Sequence, residues 1–308
     1  MSTPHDPNRL SAQEPALAFI GLGHMGLPMA TNLAKAGLKV SGFDVVEEAC
    51  EKARGNGIDA SADLTKAVEG ATVVWTMLPN GDLVRDTITK AMELLPEGTL
   101  FIDSSTISVV DAQELGKLTS EKGYYFIDAP VSGGVVGASA GTLAFMVGGG
   151  EDAIQRAYPL LDILGGSITH CGAVGSGQTV KICNNLVLGV QQIVVAESMI
   201  LADRLGIDPK TYMEVVSNST GSCWALTKNC PVPGPVPESP ANHDYQPGYA
   251  SALMLKDLRL AKEVLEQTGT TANMGMQAWQ MYETFCEQGN AGLDFSAIIR
   301  LIDEKKDG

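Results

Sequence analysis

Between residues 16 and 36 the chain passes from an apolar run, Ala16-Leu-Ala-Phe-Ile20, through Gly21-Leu22-Gly23-His24-Met25-Gly26, into a helix-like segment from Met25 to Ala36. A GxGxxG placed between a buried strand and a helix has a physical logic. The first glycine permits the tight turn, the second lets backbone approach a pyrophosphate, and the third allows the helix to pack closely on the strand. The helix N-terminus then presents N–H groups and the positive end of its dipole to the phosphates. Glycines in this spacing also serve plain structural turns, but the strand–turn–helix setting predicts a dinucleotide site built from Gly21, Leu22, Gly23, His24, Met25 and Gly26.

Strand-like and helix-like segments keep alternating beyond this turn. Lys39 to Phe43, Thr72 to Leu78, Thr99 to Ile102 and Tyr125 to Ile127 read as strands, with helical stretches such as Val109 to Glu121 between them. Leu143 to Val147 and Ser167 to Cys171 add two more. Such alternation predicts a parallel sheet covered on both faces. Beyond Gly175 the pattern turns helical: Gly177 to Leu205 is one long run, followed by Lys210 to Ser217, Ser251 to Thr268, Ala272 to Gln288 and Phe295 to Lys305. Pro231 to Pro240 holds five prolines and reads as an irregular loop. The predicted fold class is α/β. A Rossmann-type doubly wound parallel sheet occupies residues 15–175, and a long helix joins it to an all-α substrate and oligomerisation domain, residues 176–308. Residues 1–14 read as a short disordered arm. A ligand is expected in the cleft between domains.

Composition narrows the partners. The 308 residues carry a formal charge of −15, which speaks against nucleic acid and anionic membranes. None of the six cysteines forms a CxxC pair and the four histidines form no HExxH, so no metal site is expected. The scattered thiols suit a reducing compartment. The most apolar stretch, Leu186 to Leu201, contains Gln191, Gln192 and Glu197 and reads as a buried helix, with no segment taken as a membrane span. The N-terminus resembles neither a signal nor a transit peptide, so a cytoplasmic protein is expected, although a processed organellar form would read alike.

Asp44 ends the second predicted strand, 23 residues after Gly21, where the fingerprint places the acid that bonds the adenosine ribose hydroxyls. Val45 to Glu51 contains no Lys or Arg and includes Glu47, Glu48 and Glu51. Two like charges about 4 Å apart repel by roughly 4 kcal/mol at an effective dielectric of 20, which disfavours an NADP 2′-phosphate. The cofactor expected is NAD.

Two further segments suggest chemistry. Asp128-Ala-Pro-Val-Ser132-Gly133-Gly134 follows a strand, and its small residues leave main-chain donors, with the Ser132 hydroxyl, available to a carboxylate. In Gly175-Ser-Gly-Gln-Thr-Val-Lys181-Ile-Cys-Asn184-Asn185, Lys181 and Asn185 are four apart and share a helix face. Apolar neighbours would desolvate Lys181 and lower its pKa from about 10.4, bringing proton exchange with a hydroxyl within reach of neutral pH. A lysine snorkelling from an amphipathic helix is the alternative that spacing alone leaves open.

Taken together, Gly21 to Leu33, Asp103-Ser-Ser-Thr-Ile107, Asp128 to Gly134, Gly177 to Asn185 and Leu255-Lys-Asp-Leu258 resemble the β-hydroxyacid dehydrogenases, the 3-hydroxyisobutyrate dehydrogenases most closely, from Ala16 to about Arg300. The resemblance implies NAD-dependent oxidation of 3-hydroxyisobutyrate to methylmalonate semialdehyde, a step of valine breakdown, by a homodimer or homotetramer. It implies that Lys181 is the general acid/base with Asn185 beside it, and that Ser132, Gly133 and Gly134 receive the substrate carboxylate. Leu78, Pro79 and Thr106 would line the nicotinamide side, and Lys256 would reach the cofactor from the second domain. Three positions depart from the family pattern: Ser222 for an arginine, Tyr249 for a phenylalanine, and Leu83 for a polar residue near the cofactor. Tyr249 adds a hydroxyl at the expected substrate site. Other readings are a tartronate semialdehyde or related glyoxylate reductase and, from another class, a non-catalytic dinucleotide sensor.

Overall fold

The computed structural model describes residues 16–303, so the predicted N-terminal arm and the end of the last predicted helix lie outside the described residues. The first part alternates as the hydrophobic runs imply: β1 (Leu17–Ile20), α1 (Gly26–Lys35), β2 (Val40–Phe43), α2 (Glu47–Gly55), β3 (Asp59–Ser61), α3 (Leu64–Val68), β4 (Val73–Thr76), α4 (Gly81–Met92), β5 (Leu100–Asp103), α5 (Val109–Glu121) and β6 (Tyr125–Asp128). These six strands pair in parallel in the order β3-β2-β1-β4-β5-β6. Both sheet faces are covered, which is why the central strands are apolar at nearly every position. Leu17 and Phe19 of β1 enter one core with Trp75 and Ile102, while Ala18 and Ile20 enter the other with Val74 and Phe101.

The sheet is not parallel throughout. After β6 come β7 (Val131–Ser132), α6 (Gly134–Ala140), β8 (Leu143–Gly149), α7 (Glu151–Leu164) and β9 (Gly165–Gly172). Strand β8 runs antiparallel to both β6 and β7, and β9 is parallel to β8. Pairing continues along β8 from Asp128 to Val131, so β6 and β7 act as one strand interrupted at Pro130, which has no N–H to give the ladder. The seven-residue α6 and Gly141 then reverse the chain, and no full crossover restores the parallel direction.

The remaining elements are helical: α8 (Ser176–Arg204), α9 (Pro209–Val216), α10 (Trp224–Thr227), α11 (Ser251–Thr268), α12 (Asn273–Phe285) and α13 (Ile299–Ile302). The chain divides into two compact units, and the division falls between Lys181 and Ile182, within α8. In the second unit Ile193, Ala196 and Ile200 of α8 pack with Met254 and Leu258 of α11 and Tyr282 of α12. By length and composition α8 meets the requirements of a membrane span, which corrects the expectation that no segment would. Its Gln192 is buried and donates to the Asn229 carbonyl at 3.3 Å, a polar bond within the second unit. Helix α12 ends earlier than its periodicity suggests, in a π turn at Cys286–Asn290 where Gly289 takes a φ of 91°.

Candidate active site

The three glycines of the first loop are required by different neighbours. Gly21 has a φ of +96°, and a Cβ there would lie 2.3 Å from the Met77 carbonyl oxygen. A Cβ on Gly26 would lie 1.8 Å from the Gly21 carbonyl oxygen, so α1 starts in contact with the turn that precedes it. Gly23 is exposed, and a Cβ there would meet nothing within 4 Å among the described residues. The fold itself leaves Gly23 unconstrained, as expected where a ligand approaches the backbone. No side chain among the described residues caps α1, and the same holds for α2, α6 and α7. The glycine turn fits a dinucleotide pyrophosphate at this helix end.

Of the other loop residues, His24 is exposed and Met25 packs partly against the core. Leu22 is buried, and its N–H donates to Asp44 Oδ2 at 2.8 Å. Its N–H is therefore turned to protein, a partner the motif alone does not reveal. Asp44 Oδ1 accepts from Val46 N–H at 2.9 Å, so this carboxylate both ties the glycine turn and caps its own. The next basic side chains after Asp44 in the sequence are already paired, Lys52 with Glu48 at 2.8 Å and Arg54 with Glu47 at 2.5 Å. A cavity of about 400 Å³ adjoins this corner, lined by Phe43, Val45, Leu64 and Leu83 and by the charged Asp63, Asp86 and Lys90. Phe43, Val45 and Leu64 supply an apolar part of the lining that suits a flat adenine ring. Leu83, which departs from the family pattern, belongs to the same lining.

At the ends of β4 and β5 a buried polar cluster shapes the loops. Asp103 accepts from the Thr76 hydroxyl at 2.7 Å and from Ser105 N–H at 3.1 Å, while its second oxygen has no hydrogen-bond partner among the described residues. Burial pushes its carboxyl up to about 6. Ser105 accepts from Leu78 N–H at 2.8 Å, which fixes the Leu78–Pro79 turn; Leu78 and Thr106 are half-buried and Pro79 is exposed. In the loop of Ser132, Gly133 and Gly134 the two glycines take φ values of 130° and 60°, conformations that a side chain resists. Asp128, also pushed up to about 6 by burial, sends its carboxylate to the start of α8. Nothing in the local spacing marks that task.

Lys181 is 8% exposed and Asn185 1%, four positions apart on the continuous helix α8. In the second unit Asn185 Nδ2 donates to Asp257 Oδ2 at 2.5 Å and lies 3.5 Å from the Tyr249 hydroxyl. The Tyr249 hydroxyl donates to the same Asp257 oxygen. Burial first, and then that carboxylate, raises the Tyr249 hydroxyl well above the usual phenol range, so it remains a donor. Asp294 holds the segment in place by accepting from Gly248 and Tyr249 N–H at 3.1 Å each, and Phe295 meets the Tyr249 ring edge-on at 5.3 Å. Lys256 Nζ lies 3.2 Å from Asp257 Oδ1. Asp257 lies within the Leu255 to Leu258 motif, but motif reading gave it no task. A helical count reveals it as a charge on the buried stripe Met254, Asp257, Leu258, Ala261. Ser222 is exposed.

Comparison with known proteins agrees with both halves of this description. The NAD-binding domain of 6-phosphogluconate dehydrogenase matches residues 16–172, and the NAD-binding domain of NADP-dependent 3-hydroxyisobutyrate dehydrogenase matches residues 175–302. A probable 3-hydroxyisobutyrate dehydrogenase of Mycobacterium tuberculosis is 50% identical over 291 residues, covering 94% of this chain and 99% of the relative. An NAD-dependent L-serine dehydrogenase of Pseudomonas aeruginosa is 42% identical over 290 residues, covering 93% and 97%. A solved structure of Mycobacterium tuberculosis 3-hydroxyisobutyrate dehydrogenase with L-serine superposes with a TM-score of 0.89 at 49% identity, covering 94% of this chain and all of that one. A Rossmann-type dinucleotide domain followed by helices, matched along nearly its whole length, makes this chain a member of the 3-hydroxyisobutyrate dehydrogenase family of NAD(P)-binding oxidoreductases.

Proposed function

We propose that this enzyme oxidises 3-hydroxyisobutyrate to methylmalonate semialdehyde with NAD, and that the Lys181 amine takes the hydroxyl proton. The observation that carries the reading is a lysine only 8% exposed on the helix that also bears buried Asn185. A buried amine that is not a simple surface charge is a candidate general base. Bound NAD supplies the hydride acceptor. In this reading Ser132, Gly133 and Gly134 hold the substrate carboxylate, and Asn185, anchored by Asp257, orients an oxygen of the substrate. Leu78, Pro79, Thr106 and Lys256 are proposed to contact the cofactor. Asp44, with Lys52 and Arg54 already paired, favours ribose hydroxyls over a 2′-phosphate.

Replacing Lys181 with Ala should lower kcat by about 10²–10⁴-fold while leaving NADH affinity near that of the wild type. Turnover retained within about tenfold would remove the assignment. A non-catalytic sensor would show no turnover in either protein.

L-Serine is a second candidate substrate, because relatives at 42% and 49% identity carry it in their names or complexes. It keeps the hydroxymethyl and carboxylate groups of 3-hydroxyisobutyrate and places an amine where that acid has a methyl. Initial rates on 3-hydroxyisobutyrate, L-serine and tartronate semialdehyde, each with both nicotinamide cofactors, separate the readings. We also propose self-association through α8, where Val187, Val194 and Leu201 are exposed, and operation in a reducing aqueous compartment, on six free thiols.

A further inference from the structure

Two buried side chains hold the first turn of α8, and neither takes part in the proton transfer assigned to Lys181. Asp128 ends β6 and is fully buried. Its Oδ1 accepts from Gly175 N–H at 2.7 Å and its Oδ2 from Gln178 N–H at 2.9 Å. Gln178, equally buried, turns its amide the other way: Nε2 donates to the Ser105 carbonyl at 2.8 Å, and Oε1 accepts from Ile107 N–H at 3.3 Å. One helical turn is thus bonded to the end of β6 and to the loop after β5.

The packing leaves this turn no play. A Cβ on Gly177 would lie 2.2 Å from the Met146 carbonyl oxygen and 2.8 Å from Asp128 Oδ2, and one on Gly148 would lie 2.4 Å from Asp128 Oδ1. The helix start is pressed against β8 with the carboxylate between them. A neutral Ser or Thr cap would satisfy helix N–H groups without the cost of burying a charge. Charge-assisted bonds to two backbone N–H groups are stiffer, and that is the gain which offsets the desolvation.

Lys181 lies three residues beyond Gln178, one turn along the same helix. We propose that Asp128 and Gln178 are positioning residues for the reaction, which through the first turn of α8 fix where the Lys181 amine stands above the sheet. The inference rests on Lys181 being the proton acceptor. Two anchors from different directions oppose both sliding and rotation of the turn, and a displacement of about 1 Å at a reacting group can cost about a hundredfold in rate.

The test measures kcat, KM and NADH affinity for full-length Asp128→Asn, Gln178→Ala and Lys181→Ala enzymes, on whichever of 3-hydroxyisobutyrate and L-serine the wild type turns over faster. Both anchor variants should lose about tenfold or more in kcat per NADH-binding site, with KM and NADH affinity within about threefold of wild type. A residue that merely stabilises the fold would instead lose NADH sites and activity in proportion, and that result overturns the proposal. So does an unchanged kcat per site. If Asp128→Asn does not fold, Gln178→Ala decides by the same criteria. A Lys181→Ala enzyme that keeps its turnover defeats the underlying reading, and the proposal with it. An inactive Lys181→Ala beside two normal anchor variants defeats the positioning role alone.

Discussion

Asn185 Nδ2 and the Tyr249 hydroxyl both donate to one oxygen of Asp257, the first at 2.5 Å. The Asn185 amide is thereby oriented, and its own oxygen accepts from Asn184 Nδ2 at 3.0 Å. Asp257→Asn removes the charge from both bonds in a site 2% exposed. Hydrogen bonds to charged groups contribute about 1.5–3 kcal/mol, so kcat should fall by about 10- to 100-fold. Steady-state kinetics beside a thermal melt check this, and an unaltered kcat would mean that Asn185 needs no anchor.

Gly23 and Gly26 should separate binding from folding. A methyl at Gly23 meets no atom of the described residues within 4 Å, so Gly23→Ala should melt like the wild type while binding NADH about tenfold more weakly or worse. Gly26→Ala places a methyl 1.8 Å from a carbonyl oxygen and should lower Tm as well. Calorimetry and NADH fluorescence titration read the two effects, and equal melting losses in both variants would contradict the ligand-based account of Gly23.

Asp103 makes stability fall as pH rises. Its carboxyl titrates near 6 in the folded protein and near 3.9 unfolded, so between these values the folded state binds more protons. The favourable contribution is complete below about pH 4 and lost as pH climbs through about 6. Its ceiling is about 3 kcal/mol at 1.36 kcal/mol per pH unit. Asp103→Asn keeps an oxygen for Thr76 and Ser105 and abolishes this titration. Urea unfolding of both proteins from pH 4.5 to 8 should show wild type losing ground to the variant up to about pH 6 and holding level above it. A gap independent of pH refutes the assignment.

Val187, Val194 and Leu201 recur every seven residues on α8, at 54%, 51% and 59% exposure. Seven residues return a helix to nearly the same face, so they form one apolar stripe. In light-scattering chromatography the wild type should run at twice the chain mass or more, and a Val187→Asp, Val194→Asp double variant should run at the monomer mass. A monomeric wild type would sink the proposed self-association.

The strand–turn–helix around Gly21 and the long α8 were legible because burial on two sheet faces and a 3.6-residue period leave strong local patterns. The antiparallel turn of β8 was not: Leu143 to Val147 is as apolar as a parallel strand, and direction is decided by how Pro130, α6 and Gly141 route the chain. Lys181 and Asn185 stood out as a pair by spacing, which left a snorkelling lysine open, whereas Asp128, Gln178 and Asp257 draw their meaning from partners 47, 73 and 72 residues away. No local pattern encodes such pairings. The Leu22–Asp44 bond lies between these extremes, since the acid was visible and its second task was not.

That double duty bears on redesign. Any attempt to retarget the enzyme to the phosphorylated dinucleotide by exchanging Asp44 for a cationic or small residue also unfastens the backbone of Leu22 and Val46. A successful swap has to resupply an acceptor for each of those amides, so selectivity and loop architecture at this corner must be engineered together.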